Sequence, residues 1–95
     1  MTTQGKRLKK IRLALNLSGE EFGKRIGVSK QYVSNLEADR NVLNNEKLVS
    51  LLVDFNVNLN YLIAGQGEMF NAPKFEDVRG EILNEVDKLL KARGL

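Results

Sequence analysis

Four times in this sequence an apolar residue precedes a capping residue, and a second apolar residue follows the cap by four. The pairs are Leu17-Ser18 with Phe22, Val28-Ser29 with Val33, Leu43-Asn44 with Leu48, and Val57-Asn58 with Leu62. Ser and Asn at a helix N-cap accept from orphan backbone N–H groups, and the flanking apolar pair closes over the first turn as a hydrophobic staple. At Ser18 the signal is reinforced, because Glu21 three residues on completes a capping box. Four helix starts within so short a stretch leave room only for short helices, and no segment alternates with the period of a strand.

The stops agree with the starts. Gly27 ends a helix opened by Ser18 near Ile26, and the helix opened by Ser29 frays after Leu36 or Glu37 into Ala38-Asp39-Arg40-Asn41. Asn44 opens a helix over 45–55, which is apolar around most of its circumference and is therefore expected at the centre of the core. A helix over 59–64 ends at Gly65, and Gln66 to Pro73 reads as a loop. Before these, residues 4–16 place Leu8, Ile11 and Leu15 on one face, with Lys6, Arg7, Lys9, Lys10 and Arg12 largely elsewhere. After them, a helix from about 74 to 92 carries its own apolar stripe. The expected fold is all-α: a five-helix bundle over 1–72 and an amphipathic helix over 73–95.

Composition excludes several classes of function. The 95 residues suffice for one domain, and the chain holds neither His nor Cys. Thiol nucleophiles, imidazole bases, disulfides and nearly all zinc sites are ruled out, so we expect no metal and no cofactor. Catalysis would need carboxylates or Lys. Glu20-Glu21 and Glu76-Asp77 read as helix starts rather than catalytic pairs, so an enzyme with a small-molecule substrate is not expected. No apolar run approaches a membrane span of about 20 residues, and no signal peptide is visible. The absence of Cys permits a cytoplasmic setting.

The net charge of +3 is unevenly placed. Residues 1–40 hold nine of the fifteen bases and four of the twelve acids, whereas 73–95 holds five of each. The positive excess of the first 40 residues suits an anionic partner. It coincides with residues 18–37, where two short capped helices are joined by Gly27-Val28-Ser29. Such a pair is the helix-turn-helix pattern, in which the first helix braces a second that enters a major groove about 12 Å wide. Lys30, Gln31, Ser34 and Asn35 supply the donors and acceptors that base edges require.

These segments resemble the Cro/repressor-type helix-turn-helix regulators. The resemblance is carried by Leu17 to Gly23, by Ile26-Gly27-Val28-Ser29, by Val33 to Glu37, and by Val57 to Phe70, and spans about residues 5–70. It implies a five-helix bundle that binds double-stranded operator DNA, commonly as a homodimer, acting at the nucleoid in the cytoplasm. It puts Lys30, Gln31 and Asn35 at base-reading positions, with Ser34 of shorter reach. Tyr32 would touch a phosphate or a thymine methyl, or else pack on the first helix of the pair. The resemblance also pairs Arg12 with Glu37, holding Arg12 towards a phosphate. Backbone N–H groups at Ser18 and Gly19 offer a further phosphate site, and Lys9, Arg40, Asn41 and Asn45 are added candidates. The sequence departs from the family pattern at Gly19, where Gln or another polar residue is frequent, and at Gly23, where Ala is common. Ala38 and Asn44 also depart from it, in the loop after the recognition helix.

The C-terminal stripe comprises Phe75, Val78, Ile82, Val86, Leu89 and Leu90, widened by Leu83. It either folds back on residues 43–63 or pairs with a second copy, and dimerisation is the favoured reading. An antitoxin-like module that grips a protein partner through this helix is the alternative function. Regulation would act through such a protein, through dimer dissociation or through competition at the operator.

Overall fold

The computed structural model describes residues 2–72, which form five helices: α1 (Gln4–Ala14), α2 (Gly19–Ile26), α3 (Lys30–Glu37), α4 (Asn45–Phe55) and α5 (Leu59–Ala64). Each of the four caps read from the sequence makes its bond. The Ser18, Ser29 and Asn44 side chains accept from the N–H of Glu21, Tyr32 and Lys47, and Asn58 accepts from Asn60. The capping box at Ser18 is complete, with its own N–H donating to the Glu21 carboxylate. All eight staple residues lie in the core or packed against it.

The core joins Leu8 and Ile11 of α1, Phe22 and Ile26 of α2, Val33 and Leu36 of α3, then Leu43, Leu51, Val57 and Leu62. Each such side chain contributes about 1.5–3 kcal/mol relative to exposure. α3 packs on both α1 and α2, α5 on α1, and α4 on α2. Phe22 meets Phe55 with ring centroids 5.8 Å apart, and the Arg25 guanidinium lies over the Phe55 ring at 5.1 Å.

Three expectations are corrected. α1 stops at Ala14 rather than running to 16, because Asn16 takes a left-handed conformation (φ 59°) that no helix continues through. α4 is not central: it buries Leu51 and half-buries Leu48 and Phe55, but Val49, Leu52 and Val53 are exposed. Its apolar circumference exceeds what four neighbouring helices cover. Arg7 is not a surface base. It is 8% exposed and spans from α1 to the end of α5, donating to the carbonyls of Leu62 (2.9 Å), Ile63 (3.1 Å) and Thr2. It thereby satisfies carbonyl groups that the end of α5 leaves orphaned.

The loop after α5 returns to the core. Val57 and Phe70 form an isolated antiparallel bridge, with the Asn58 N–H donating to Met69 O at 2.8 Å and the Asn71 N–H to Asn56 O at 2.9 Å. The helix expected over 74–92, its stripe, and the boundary at 72/73 lie outside the described residues. No helix among the described residues is long and apolar enough to cross a membrane.

Candidate nucleic-acid interface

The connection between α2 and α3 is short because Gly27 takes φ 79°, a left-handed cap that an L side chain would strain. The turn then closes onto α2. The Val28 N–H donates to Gly23 O at 2.8 Å, and a Cβ at Gly23 would lie 2.6 Å from Val28 O. The close approach at Gly23 is thus made by the turn's own backbone.

With Val33 and Leu36 buried, the helical period turns Lys30, Gln31 and Ser34 fully outward, while Asn35 and Tyr32 are half-buried at the margin. Tyr32 packs against the core. Gln31 Nε2 donates to Asn35 Oδ1 at 3.2 Å, one helical turn away. That bond consumes one N–H of Gln31 and one lone pair of Asn35. Each amide keeps a donor and an acceptor beyond that bond, which is what a bidentate contact to adenine uses.

The position of α3 is held from α1. Arg12 donates from Nε to Glu37 Oε2 at 2.8 Å and from Nη2 to Oε1 at 3.1 Å, a two-pronged ion pair with side chains only 13% and 11% exposed. Arg12 Nη1 donates to Leu17 O at 2.9 Å, so one guanidinium ties together α1, the α1–α2 loop and the last residue of α3. The bond to Glu37 is the main reason its pKa stands above the ordinary value. With three N–H groups so engaged, Arg12 is chiefly a brace.

At this same C-terminal end of α3 the loop folds back, the N–H groups of Arg40 and Asn41 donating to Asn35 O at 2.9 and 3.3 Å. Arg40 and Asn45 are exposed and Asn41 half-buried. Ala38 caps α3 without Gly, because Asp39 takes the left-handed position instead (φ 61°). Asp39 Oδ1 then accepts from the Gly5 N–H at 2.9 Å at the first turn of α1. Hydrogen bonds from the Thr3 side chain and from Gly5 hold its carboxyl below the usual range. Glu21 is lowered likewise, first by the Ser18 N–H and then by the Ser18 hydroxyl. Ser18 and Lys9 are exposed and Gly19 is half-buried.

The sequence reading missed Arg7, Gly5 and Asp39. For Arg7 a signal was present, since it precedes Ile11 by four and so borders the apolar face of α1. No such signal marks Gly5 or Asp39, whose partnership joins residues 34 apart in the chain. Among the described residues no cluster of carboxylates could hold a metal ion.

A helix-turn-helix family model matches residues 8–62, more than half of the chain. Among solved structures, the P22 c2 repressor in complex with a synthetic operator is similar, at 27% identity and a TM-score of 0.63, covering 70% of this chain and all of that one. A transcriptional regulator from Listeria innocua shares the fold at 16% identity and a TM-score of 0.60, covering 95% of this chain and 94% of its own. No curated protein matches. The braced second helix, the left-handed glycine turn and a match that runs from α1 into α5 place this chain in the Cro/repressor-type helix-turn-helix family of DNA-binding transcriptional regulators.

Proposed function

We propose that this regulator is a repressor that sets α3 into the major groove of a specific operator. The observation that carries the reading is the outward row Lys30, Gln31 and Ser34, with Asn35 at its margin, on a helix clamped by the Arg12–Glu37 pair. Gln31 and Asn35 read adenine edges as a coupled pair, Lys30 favours guanine acceptors, and Ser34 takes the shorter-reach contact. Tyr32, packed at the margin, supplies a phosphate or thymine-methyl contact. Phosphates are met by the α2 N-terminus at Ser18 and Gly19, by Lys9, by the N–H groups of Arg12 that its bonds to Glu37 and Leu17 leave over, and by Arg40, Asn41 and Asn45 around the far end of α3. The operator complex of the P22 c2 repressor supports a DNA target of this kind. Two copies bind as a homodimer, on half-sites one helical turn, about 34 Å, apart.

The test is random-site selection followed by titration of Gln31→Ala. The variant should bind the preferred operator about 1–3 kcal/mol more weakly and leave non-specific binding near normal. Unchanged discrimination between operator and random DNA would remove α3 from the groove. A selected site without two-fold symmetry, bound by one chain, would remove the dimer.

A further inference from the structure

α4 carries an apolar stripe that the five helices leave uncovered. Val49, Leu52 and Val53 are 55%, 39% and 72% exposed, and their spacing of three and four puts them on one face beside buried Leu51. Three side chains are too few for a free-standing interface between proteins, which takes about 20–30 residues a side. They suit one face of a single amphipathic helix.

The path of the chain supplies that helix. Asn56, the C-cap of α4, is tied to Asn71 twice: the Asn71 N–H donates to Asn56 O, and Asn56 Nδ2 donates to Asn71 O, both at 2.9 Å. Asn71 Nδ2 adds a bond to Val57 O at 3.2 Å. The chain therefore leaves the described fold beside the C-terminal end of α4. The sequence that follows places Phe75, Val78, Ile82, Leu83, Val86, Leu89 and Leu90 at helical spacing. Running back along the 11 residues of α4 requires about 16 Å at 1.5 Å per residue. Residues 74–92 exceed that length. A tether fixed at Asn71 holds the segment at an effective concentration of order mM, well above that of a second copy in solution.

We propose that the Val49–Leu52–Val53 face of α4 is the seat of residues 74–92 of the same chain, laid antiparallel to α4. The C-terminal stripe is then satisfied within its own chain, and pairing of two copies on DNA does not depend on it.

Because the chain has no Cys, introduced pairs report the contact directly in the full-length protein. Val49→Cys is combined in turn with Val78→Cys, Ile82→Cys or Val86→Cys, and the oxidised products are run on a non-reducing gel beside a sedimentation measurement. At least one pair should close a disulfide within the monomer, at a yield independent of protein concentration. In a second measurement, Val49→Gln with Val53→Gln should speed amide exchange over 76–90 at least tenfold and leave α1–α3 unchanged. These substitutions lie on an exposed face, so loss of folding does not mask the result. Crosslinks formed only between chains, with a doubled mass abolished by Ile82→Asp, would show that the stripes pair between copies and overturn the proposal. Absence of any crosslink, or exchange over 76–90 that ignores the α4 variants, would overturn it as well.

Discussion

Gly5 and Gly19 both lie in the first turn of a helix, yet they face opposite constraints. A Cβ at Gly5 would lie 2.5 Å from Leu36 O and 2.7 Å from both Glu37 O and Asp39 Oδ1. Two of those neighbours are backbone, so α1 and α3 would have to separate. Gly5→Ala should destabilise the protein by about 1–3 kcal/mol, the usual range for overpacking, read as a lower midpoint in urea. At Gly19 the nearest atoms are Lys30 Cγ at 3.7 Å and Val33 Cγ1 at 4.0 Å, an ordinary contact distance. Gly19→Ala should therefore hold or gain up to about 1 kcal/mol from helix propensity. The sequence alone could not separate these two glycines, since the difference lies wholly in what packs against them. Glu37→Ala tests the brace: it strands a guanidinium that is mostly buried, and should cost roughly 3 kcal/mol. It should also weaken operator binding more than random-DNA binding, because α3 loses its register.

Helix existence and type followed from local chemistry, and so they were readable in advance. Caps, staples and left-handed glycines act within about six residues, and α2 to α5 begin and end at or next to the positions those signals mark. The misreadings concern what a helix faces. The apolar surplus of α4 implied a central helix, but burial depends on neighbours that a hydropathy pattern does not count. Arg7 read as a surface base because its partners are carbonyls at Leu62 and Ile63, and carbonyls leave no mark in a sequence. The ends of α1 and α2 also set an acid dependence. Asp39 and Glu21 both have lowered pKa values in the folded state. Their contribution is complete above the ordinary carboxylate range of about 4 and is lost as pH falls through the lower folded values. Thermal midpoints measured from pH 6 down to pH 2 should therefore decline below about 4, and Asp39→Asn should flatten that decline. A midpoint that rises on acidification would contradict the assignment.

The positive excess that first suggested an anionic partner is redistributed once the chain is folded. Of the nine bases in residues 1–40, Arg7 is buried against carbonyls and Arg12 is held by Glu37. Arg25 covers the Phe55 ring, and Lys24 lies 3.7 Å from Glu20 on an exposed turn. The exposed bases left are Lys6, Lys9, Lys10, Lys30 and Arg40, fewer than composition implies, and the proposed phosphate contacts among them are Lys9 and Arg40. Salt titration separates the two groups. Each phosphate neutralised contributes about −0.9 to the slope of log affinity against log salt. Arg40→Ala should make the slope shallower by about that amount, across operator and random DNA alike, because a phosphate contact carries no base information. Arg7→Met should leave the slope unchanged while lowering stability, since it removes a buried charge that ties α1 to α5. If Arg7→Met instead flattened the slope and Arg40→Ala did not, the DNA-facing surface would have to be moved from α3 and its flanking loop to the α1–α5 side of the bundle.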